Sequence, residues 1–355
     1  MSPERRGCGG RALSSNGADP LLAVDDLVVA YPIARGLAGA VLRRPEQRVL
    51  AVDGVSFSVD RGELVALVGE SGCGKTTTAQ AVLRLVEAMS GRVSFDGRDI
   101  TELSNRALRP LRRNMQIIYQ DPYESLDPRM TVRDAVEEPM LIHGLGGSRE
   151  ARRELVLEAV ARVELTPPDL FLERYPHELS GGQRQRVAIA ASLVLEPDLL
   201  VADEPVSMLD VSVRAGVLNL LDRLRQDGLG ILMITHDLST AARYADRIAV
   251  MYLGRIVEVG PASEIVENPQ HPYTKALLSV VPRRDPRDRK RPQVLTGEAP
   301  DATRIPSGCR FHPRCPRAQP RCGTEEPALR SFGEGHWAAC HFPLAPHDMT
   351  APHSL

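Results

Sequence analysis

The sequence predicts an α/β domain built on a parallel sheet, and three observations lead to this prediction. Short apolar runs, such as residues 63–68 and 199–202, have the composition of strands that are buried on both faces. Segments with helical periodicity, such as residues 183–194, lie between these runs. Glycine-containing turns separate several of the strands from the helices. Strands that alternate with helices favour a parallel sheet that is covered by helices.

The predicted elements follow one another between residues 21 and 282. Two strands, 21–30 and 49–59, come before the alternating pattern. The buried strands predicted after them are 63–68, 115–119, 199–202 and 231–235, and the predicted helices are 75–86, 132–142, 149–163, 183–194 and 211–225. Around Pro282, a charge run and many prolines indicate a linker or a domain boundary.

The composition is that of an ordinary globular protein, with 43% hydrophobic and 25% charged residues among 355. Lys and Arg number 44 against 46 Asp and Glu, so no excess of positive charge suggests a nucleic-acid partner, and we expect none. The longest apolar runs are much shorter than the roughly 20 residues that cross a bilayer. Residues 1–20 lack the apolar core of a secretory signal, and we expect a disordered leader in a cytoplasmic protein.

The clearest motif is Gly69-Glu70-Ser71-Gly72-Cys73-Gly74-Lys75-Thr76, which matches the phosphate-binding pattern G-x-x-x-x-G-K-S/T. It lies between a predicted strand and a predicted helix, as that pattern requires, whereas a merely flexible glycine turn is the alternative. Glycines allow backbone N–H groups to approach phosphate oxygens, and a helix N-terminus adds positive potential. Lys75 can neutralise the β- and γ-phosphates, and the Thr76 hydroxyl can bind Mg²⁺. The residues predicted to bind nucleotide here are Gly69, Ser71, Gly72, Gly74, Lys75, Thr76 and Thr77.

Two adjacent acids, Asp203 and Glu204, follow the apolar run 199–202. Carboxylates at the end of a buried strand are costly unless a metal or water network receives them. Asp203 is predicted to hold Mg²⁺, and Glu204 to polarise the water that attacks the γ-phosphate. The alternative is a turn with two solvated acids.

The segment Leu179-Ser180-Gly181-Gly182-Gln183-Arg184-Gln185-Arg186 resembles the signature motif of ATP-binding-cassette (ABC) proteins. Ser180 and the N–H groups of the following residues, at a helix start, can bind a γ-phosphate, although the same string could simply cap a helix. The resemblance implies that this phosphate belongs to nucleotide held by an opposing subunit. The nucleotide-contacting residues that it implies are Ser180, Gly181, Gly182 and Gln183.

Other ABC landmarks occur in the expected order. Gln120 resembles the glutamine that contacts Mg²⁺ and water and communicates with the membrane subunit, and His236 resembles the switch histidine that contacts the γ-phosphate. Leu209-Asp210 matches a third motif, with Met208 where the family often has Ala. Tyr31 could stack on adenine, or it could simply pack in a turn.

Longer strings narrow the resemblance to the oligopeptide/dipeptide subfamily of ABC importers, and within it to the F-type ATPase. These strings are residues 120–129, 252–255, 268–274 and 308–316. Members of the subfamily import peptides or, in some branches, nickel. The resemblance implies two transmembrane permease subunits, a second ATPase that is a paralogue, and an external solute-binding protein. It places the chain peripherally at the cytoplasmic face of the cell membrane.

The resemblance also implies a domain plan. The ABC cassette would span residues 21–282, with a P-loop core of RecA type, an antiparallel β subdomain and a helical subdomain at about residues 121–180. Residues 283–355 would form a C-terminal extension with four cysteines, and residues 1–20 the leader.

The four cysteines of the extension are Cys309, Cys315, Cys322 and Cys340. Their spacing fits neither the paired zinc pattern nor the common ferredoxin runs, so the motif alone decides little. Because cysteine-bearing tails of related importers hold such clusters, the resemblance favours a structural [4Fe–4S] cluster. The alternatives are zinc, with help from His312, His336 or His341, and free thiols.

Three other functions are compatible with a cassette. A soluble ABC ATPase of DNA repair or translation would normally carry a long coiled-coil insertion or two cassettes in one chain, and this sequence shows neither. A scaffold that binds ATP without turnover would be expected to lack Glu204 or His236, and both are present. An exporter ATPase fits the cassette but not the C-terminal strings. The sequence therefore predicts an importer subunit that uses ATP and Mg²⁺.

Overall fold

The computed structural model describes residues 19–32, 48–121, 125–280, 303–333 and 335–344. The chain divides into two compact units. The first unit comprises Met1–Ser58, Val65–Thr101 and Thr235–Leu355, and the second comprises Val59–Leu64 and Glu102–Ile234. Within the described residues, no helix is long and apolar enough to span a membrane.

The described residues form twelve strands and eleven α-helices. The strands are β1 (Leu22–Pro32), β2 (Arg48–Val59), β3 (Leu64–Val68), β4 (Ser90–Phe95), β5 (Arg98–Asp99), β6 (Met115–Ile118), β7 (Leu199–Asp203), β8 (Gly230–Thr235), β9 (Arg247–Tyr252), β10 (Arg255–Pro261), β11 (Arg330–Gly333) and β12 (His336–Ala338). The helices are α1 (Lys75–Val82), α2 (Asn105–Asn114), α3 (Val132–His143), α4 (Arg149–Arg162), α5 (Asp169–Leu172), α6 (Gly181–Leu193), α7 (Val211–Gln226), α8 (Leu238–Tyr244), α9 (Ala262–Glu267), α10 (Pro272–Ser279) and α11 (Pro320–Thr324).

The first unit contains two groups of strands. One is a four-stranded sheet in the order β2-β1-β4-β5, in which β1 pairs antiparallel with β4 and β4 with β5. The other runs in the order β11-β12-β10-β9-β3. Here β3 and β9 are parallel, whereas β9, β10, β12 and β11 pair antiparallel in succession. The two strands of the C-terminal extension therefore continue the sheet that contains β3.

The second unit carries three parallel strands in the order β8-β7-β6. Every residue of β7 and β8 is buried, which explains the unbroken apolar runs in the sequence. Helices α2 to α7 belong to the same unit. Strands and helices alternate here as the sequence predicts.

The predicted elements agree with the structure except at their ends, and one helix is clearly shorter than predicted. The helix predicted over residues 75–86 ends at Val82, because Arg84 takes a left-handed conformation with φ 54°. Helix α6 begins at Gly181, two residues before the predicted start at Gln183, because Ser180 caps it. The predicted boundary near Pro282 and nearly all of the predicted leader lie outside the described residues, and the domain limits remain predictions.

A wholly buried carboxylate, that of Glu258, joins three parts of the first unit. It accepts hydrogen bonds from the backbone N–H groups of Gln270 at 2.6 Å and His271 at 3.0 Å, and it lies 2.9 Å from Nε2 of His336. Since Glu258 is on β10, His336 on β12 and His271 at the start of α10, this acid connects the extension to the cassette.

His271 is the N-cap of α10, and its ring is neutral. Its Nδ1 accepts a hydrogen bond from the backbone N–H of Tyr273 at 3.1 Å, so the proton of the ring is on Nε2. Burial lowers the pKa of His271 to about 4, although the charge of nearby Glu258 acts in the opposite direction.

We expect His271 to make the protein sensitive to mild acid. Its pKa in the folded state, about 4, lies below its ordinary value of 6.5, so between these values the unfolded chain binds a proton that the folded chain does not. The free energy of unfolding should therefore fall as the pH drops from about 6.5 to about 4, by up to about 3 kcal/mol from this residue.

Urea unfolding at several pH values measures this effect. His271→Asn keeps a side-chain cap and removes the titrating ring, so it should reduce the acid dependence. His177→Asn, at an exposed position, is the matched control and should leave the dependence unchanged. Equal pH slopes in both variants would contradict the assignment.

Candidate functional site

The phosphate loop connects β3 to α1, as the motif predicts. Lys75 begins α1 and is buried, and its Nζ donates hydrogen bonds to the carbonyl oxygens of Gly69 at 2.8 Å and Glu70 at 3.0 Å. Gly74 has φ +104°, and a Cβ there would lie 2.1 Å from the carbonyl oxygen of Ala51, so only glycine fits. The loop therefore presents a buried ammonium group beside a helix N-terminus, an arrangement that suits a phosphate.

The other predicted loop residues differ in exposure. Ser71, Gly72 and Thr76 are exposed, Thr77 is half-buried, and Gly69 is buried. The hydroxyl of Thr76 lies in the first turn of α1, one residue after Lys75. A hydroxyl is an oxygen ligand of the kind that Mg²⁺ takes.

The second unit carries the predicted acids and the predicted glutamine. Asp203 is the last residue of β7 and is buried, and Glu204 follows it directly. Nε2 of Gln120 donates a hydrogen bond to Oε2 of Glu204 at 3.2 Å. The structure thus brings together two residues that are 84 positions apart and that the sequence assigned to one reaction.

The backbone of Glu204 is strained, with φ +47°. A non-glycine residue in the left-handed region costs of order 1 kcal/mol and persists only where its surroundings hold it. Here the N–H of Glu204 donates to the carbonyl oxygen of Ile234 at 2.9 Å, and its carbonyl accepts from the Ser207 hydroxyl at 3.1 Å. These contacts hold the carboxylate at the end of β7.

The signature segment starts α6 through a capping box. The Ser180 hydroxyl accepts a hydrogen bond from the Gln183 N–H at 3.3 Å, and the Gln183 side chain accepts one from the Ser180 N–H at 3.0 Å. Ser180 remains exposed, and its hydroxyl hydrogen can still donate to an anion. Gly182 is buried and packs closely against α7. A Cβ at this position would lie only 2.2 Å from Cγ1 of Val213.

The remaining predicted residues belong to the first unit. His236 is exposed and directly precedes Asp237, the N-cap of α8. Tyr31 is 38% exposed at the end of β1. The first unit therefore carries Tyr31, the phosphate loop and His236, whereas the second carries Gln120, Asp203, Glu204 and the residues from Ser180 to Gln183.

One cavity in the first unit is lined by all four cysteines of the extension. His312 and His341 also line it, but His336 does not, because it contacts Glu258. The backbone N–H of Cys309 donates to the carbonyl of Cys322 at 2.8 Å, which brings two of the four together. Cys340 lies two residues after the end of β12.

The environment of these thiols is apolar. Burial raises the pKa of Cys309, of Cys315 and of Cys340, the last to about 12. In the part of the chain that the structure describes, no group of three or more His, Cys, Asp or Glu side chains is placed to hold a single metal ion. The thiols thus surround a common space without converging on one point.

Three residues without a role predicted from sequence, Glu70, Tyr273 and Arg314, meet at the phosphate loop. The carboxylate of Glu70 accepts two hydrogen bonds from Arg314, and the N–H of Glu70 donates to the Tyr273 hydroxyl. Tyr273 lies within residues 268–274 and Arg314 within residues 308–316, two segments that resemble the oligopeptide/dipeptide subfamily. Their position within these segments was a sequence clue that both residues matter. No neighbouring sequence motif relates either residue to the phosphate loop.

Comparisons with known proteins identify relatives of this chain. Residues 52–207 match the family model of the ABC transporter, and residues 257–322 match that of the oligopeptide/dipeptide transporter C-terminal region. The oligopeptide transport ATP-binding protein AppF of Bacillus subtilis is 45% identical over 91% of this chain and 97% of its own. A Brucella ovis protein, whose name assigns it provisionally to peptide import and ATP binding, is 51% identical over 81% of this chain and 90% of its own.

A solved structure confirms the predicted cassette fold. A dimeric ATP-binding cassette in a post-hydrolysis state, bound to ADP and Pi, matches with a TM-score of 0.59 and 28% identity. The match covers 68% of this chain and 98% of that one.

Gly182 offers a test of how α6 is positioned. Gly182→Ala should lower the free energy of unfolding by about 1–3 kcal/mol, because the added methyl group collides with Val213. The control is Gly181→Ala, whose methyl group would approach Leu209 only to 3.5 Å and should leave stability equal or slightly higher. Adding Val213→Ala to Gly182→Ala should recover part of the loss. Urea unfolding measures all of these variants, and equal losses at the two glycines would refute the close approach.

Proposed function

Because this chain belongs to the ATP-binding proteins of ABC transporters, we propose that it hydrolyses ATP to power the import of oligopeptides or dipeptides through separate membrane subunits. Its sequence matches both the cassette and the C-terminal region of oligopeptide transporters. The Bacillus relative is named for oligopeptide transport and matches over nearly its whole length. Peptide cargo is therefore favoured over nickel.

The hydrogen bond between Gln120 and Glu204 is the observation that carries the catalytic assignment. It places a carboxylate that can polarise water beside an amide that can contact Mg²⁺. In the proposed reaction, Asp203 and the Thr76 hydroxyl are the groups that would bind Mg²⁺, which would supply positive charge to the phosphates. Lys75 leaves the loop carbonyls and neutralises the β- and γ-phosphates.

Two further residues complete the proposed nucleotide site. His236 would contact the γ-phosphate, and its exposed position leaves the ring accessible. Tyr31 would stack on the adenine ring, and it is the half-exposed aromatic at the end of β1. Both roles rest on the ABC resemblance.

We infer that the complete site requires a second ATPase. Ser180 and the N–H groups of Gly181 and Gly182 would bind the γ-phosphate of nucleotide held by the partner, which the related dimer with ADP and Pi supports. Binding of ATP would close the pair, and hydrolysis would reopen it. The F-type strings favour a paralogue over a second copy of this chain.

The proposed partners outside the ATPase pair are two permease subunits and, indirectly, an external solute-binding protein. The chain would then lie peripherally at the cytoplasmic face of the membrane. Gln120, which touches Glu204, follows β6 by two residues and would communicate with the permease.

Glu204→Gln should abolish turnover while preserving ATP binding, because a polarising carboxylate acts mainly in the transition state. We expect kcat of the assembled transporter to fall by about 10²-fold or more. The control is Glu196→Gln, a change at an exposed glutamate that also has positive φ, and it should leave kcat unchanged. Steady-state phosphate release and nucleotide titration measure the two effects. Surviving turnover in Glu204→Gln would show that this carboxylate has another role.

We further propose that the four cysteines hold an iron–sulfur cluster with a structural role. All four line one cavity, and in a cluster each cysteine would bind a different iron. Ligation would deprotonate the buried thiols and cross-link a segment that has little apolar core. The cluster would serve folding, since transport driven by ATP needs no electron transfer.

Anaerobic purification followed by iron, sulfide and zinc analysis tests this proposal. We expect about four iron and four sulfide per chain and a broad visible absorption. Cys322→Ser should lose the metal, whereas Cys73→Ser, a control in the phosphate loop, should retain it. A colourless protein that lacks iron and zinc, yet resists proteolysis throughout its extension, would overturn the proposal.

A further inference from the structure

We propose that Arg314 is a positioning residue for ATP binding: it holds Glu70, and with Tyr273 it fixes the phosphate loop in the shape that receives nucleotide. The C-terminal extension would thereby set the affinity of the cassette for ATP. This inference rests on the proposed ATPase function and adds to it a residue outside every nucleotide motif.

The contact between Arg314 and Glu70 is bidentate. Nη1 of Arg314 donates to Oε2 of Glu70 at 2.7 Å, and Nη2 donates to Oε1 at 3.1 Å. Arg314 is 9% exposed, so its planar guanidinium is fixed in direction and poorly screened. The hydrogen bonds to Glu70 raise the pKa of Arg314 above its ordinary value, although burial acts in the opposite direction. This pair is therefore a stronger constraint than an exposed salt bridge.

The backbone of Glu70 is held as well. Its N–H donates to the Tyr273 hydroxyl at 3.0 Å, and its carbonyl oxygen accepts from Lys75 at 3.0 Å. Tyr273 is wholly buried, with its ring centroid 5.3 Å from that of Phe311 in the extension. Both the side chain and the main chain of one loop residue are thus fixed by residues that follow it by more than 200 positions.

Two physical consequences connect these contacts to ATP. A phosphate loop works by converging backbone N–H groups, so a small displacement of Glu70 weakens several hydrogen bonds at once. Glu70 is also an anion in a loop that must receive an anion, and without Arg314 its charge would oppose the phosphates. Arg314 would thus keep the loop in position and compensate the negative charge of Glu70.

The position of Arg314 ties the loop to the cysteine cavity. Arg314 ends the short 3₁₀ turn His312–Arg314, and the next residue, Cys315, lines the cavity. A second arginine of the extension, Arg310, pairs with Asp53 on β2 and donates to the carbonyl of Leu253. The segment that carries Arg314 is therefore also held to the cassette at Arg310.

The test measures ATP affinity and the steady-state constants KM and kcat for the full chain in its transporter. We expect Arg314→Gln to raise the Kd and KM for ATP by roughly tenfold or more, with kcat changed less than about twofold. Arg321→Gln is the matched control, because it removes an exposed Arg–Glu pair of the same extension that does not touch the loop, and both constants should stay unchanged. Adding Glu70→Gln to Arg314→Gln should recover much of the affinity, because the uncompensated charge is then gone.

Rescue by Glu70→Gln is a result that a merely structural role would not give. An unchanged KM in Arg314→Gln, or an equal rise in Arg321→Gln, overturns the proposal. If Arg314→Gln does not fold, Tyr273→Phe replaces it. That variant removes only the hydroxyl that accepts from Glu70, and it should raise KM by about threefold, so an unchanged KM there overturns the proposal too. A wild-type chain that binds no ATP would instead refute the proposed ATPase.

Discussion

A buried ammonium group, that of Lys75, is the constraint on which the first unit depends. A charge in this position requires oxygen partners, and the carbonyls of Gly69 and Glu70 supply them only if the loop folds tightly over the start of α1. This loop conformation in turn requires glycine at position 74, because the backbone of Ala51 on β2 leaves no room for a Cβ at Gly74. The loop sequence, the helix start and the neighbouring strand thus depend on one another. The loop carbonyls therefore hold the Lys75 ammonium group where a phosphate would bind it.

Local sequence predicted the phosphate loop, the capped start of α6 and the buried strands β3, β7 and β8, because each depends on residues close together in the chain. It did not predict β4, whose first three residues are exposed, or β11, which is exposed throughout, since neither shows an apolar alternation. Helix α2 was missed because it contains Pro110 and buries only Leu108. In each case the segment owes its conformation to neighbouring strands or helices more than to its own pattern.

The site was predictable to the extent that its chemistry is written in short motifs. Gln120 and Glu204 were each assigned from a motif, and their hydrogen bond gives those assignments a common location. The hold of Arg314 on Glu70 spans 244 positions and could not be inferred, because no motif connects the two residues. Contacts of this kind are set by the tertiary fold alone, and here they join the phosphate loop to the C-terminal extension.

The pairing of β12 with β10 has a consequence for the surface of the protein. Without its partner, β10 would be an edge strand with a row of unpaired backbone groups, and five consecutive residues from Ile256 to Gly260 are buried. Exposed sheet edges with unpaired backbone groups can pair with other chains. β11, which takes over the outer position, is only four residues long, wholly exposed, and includes an arginine and a glycine. With the extension in place, the short and exposed β11, and not β10, forms this margin of the sheet.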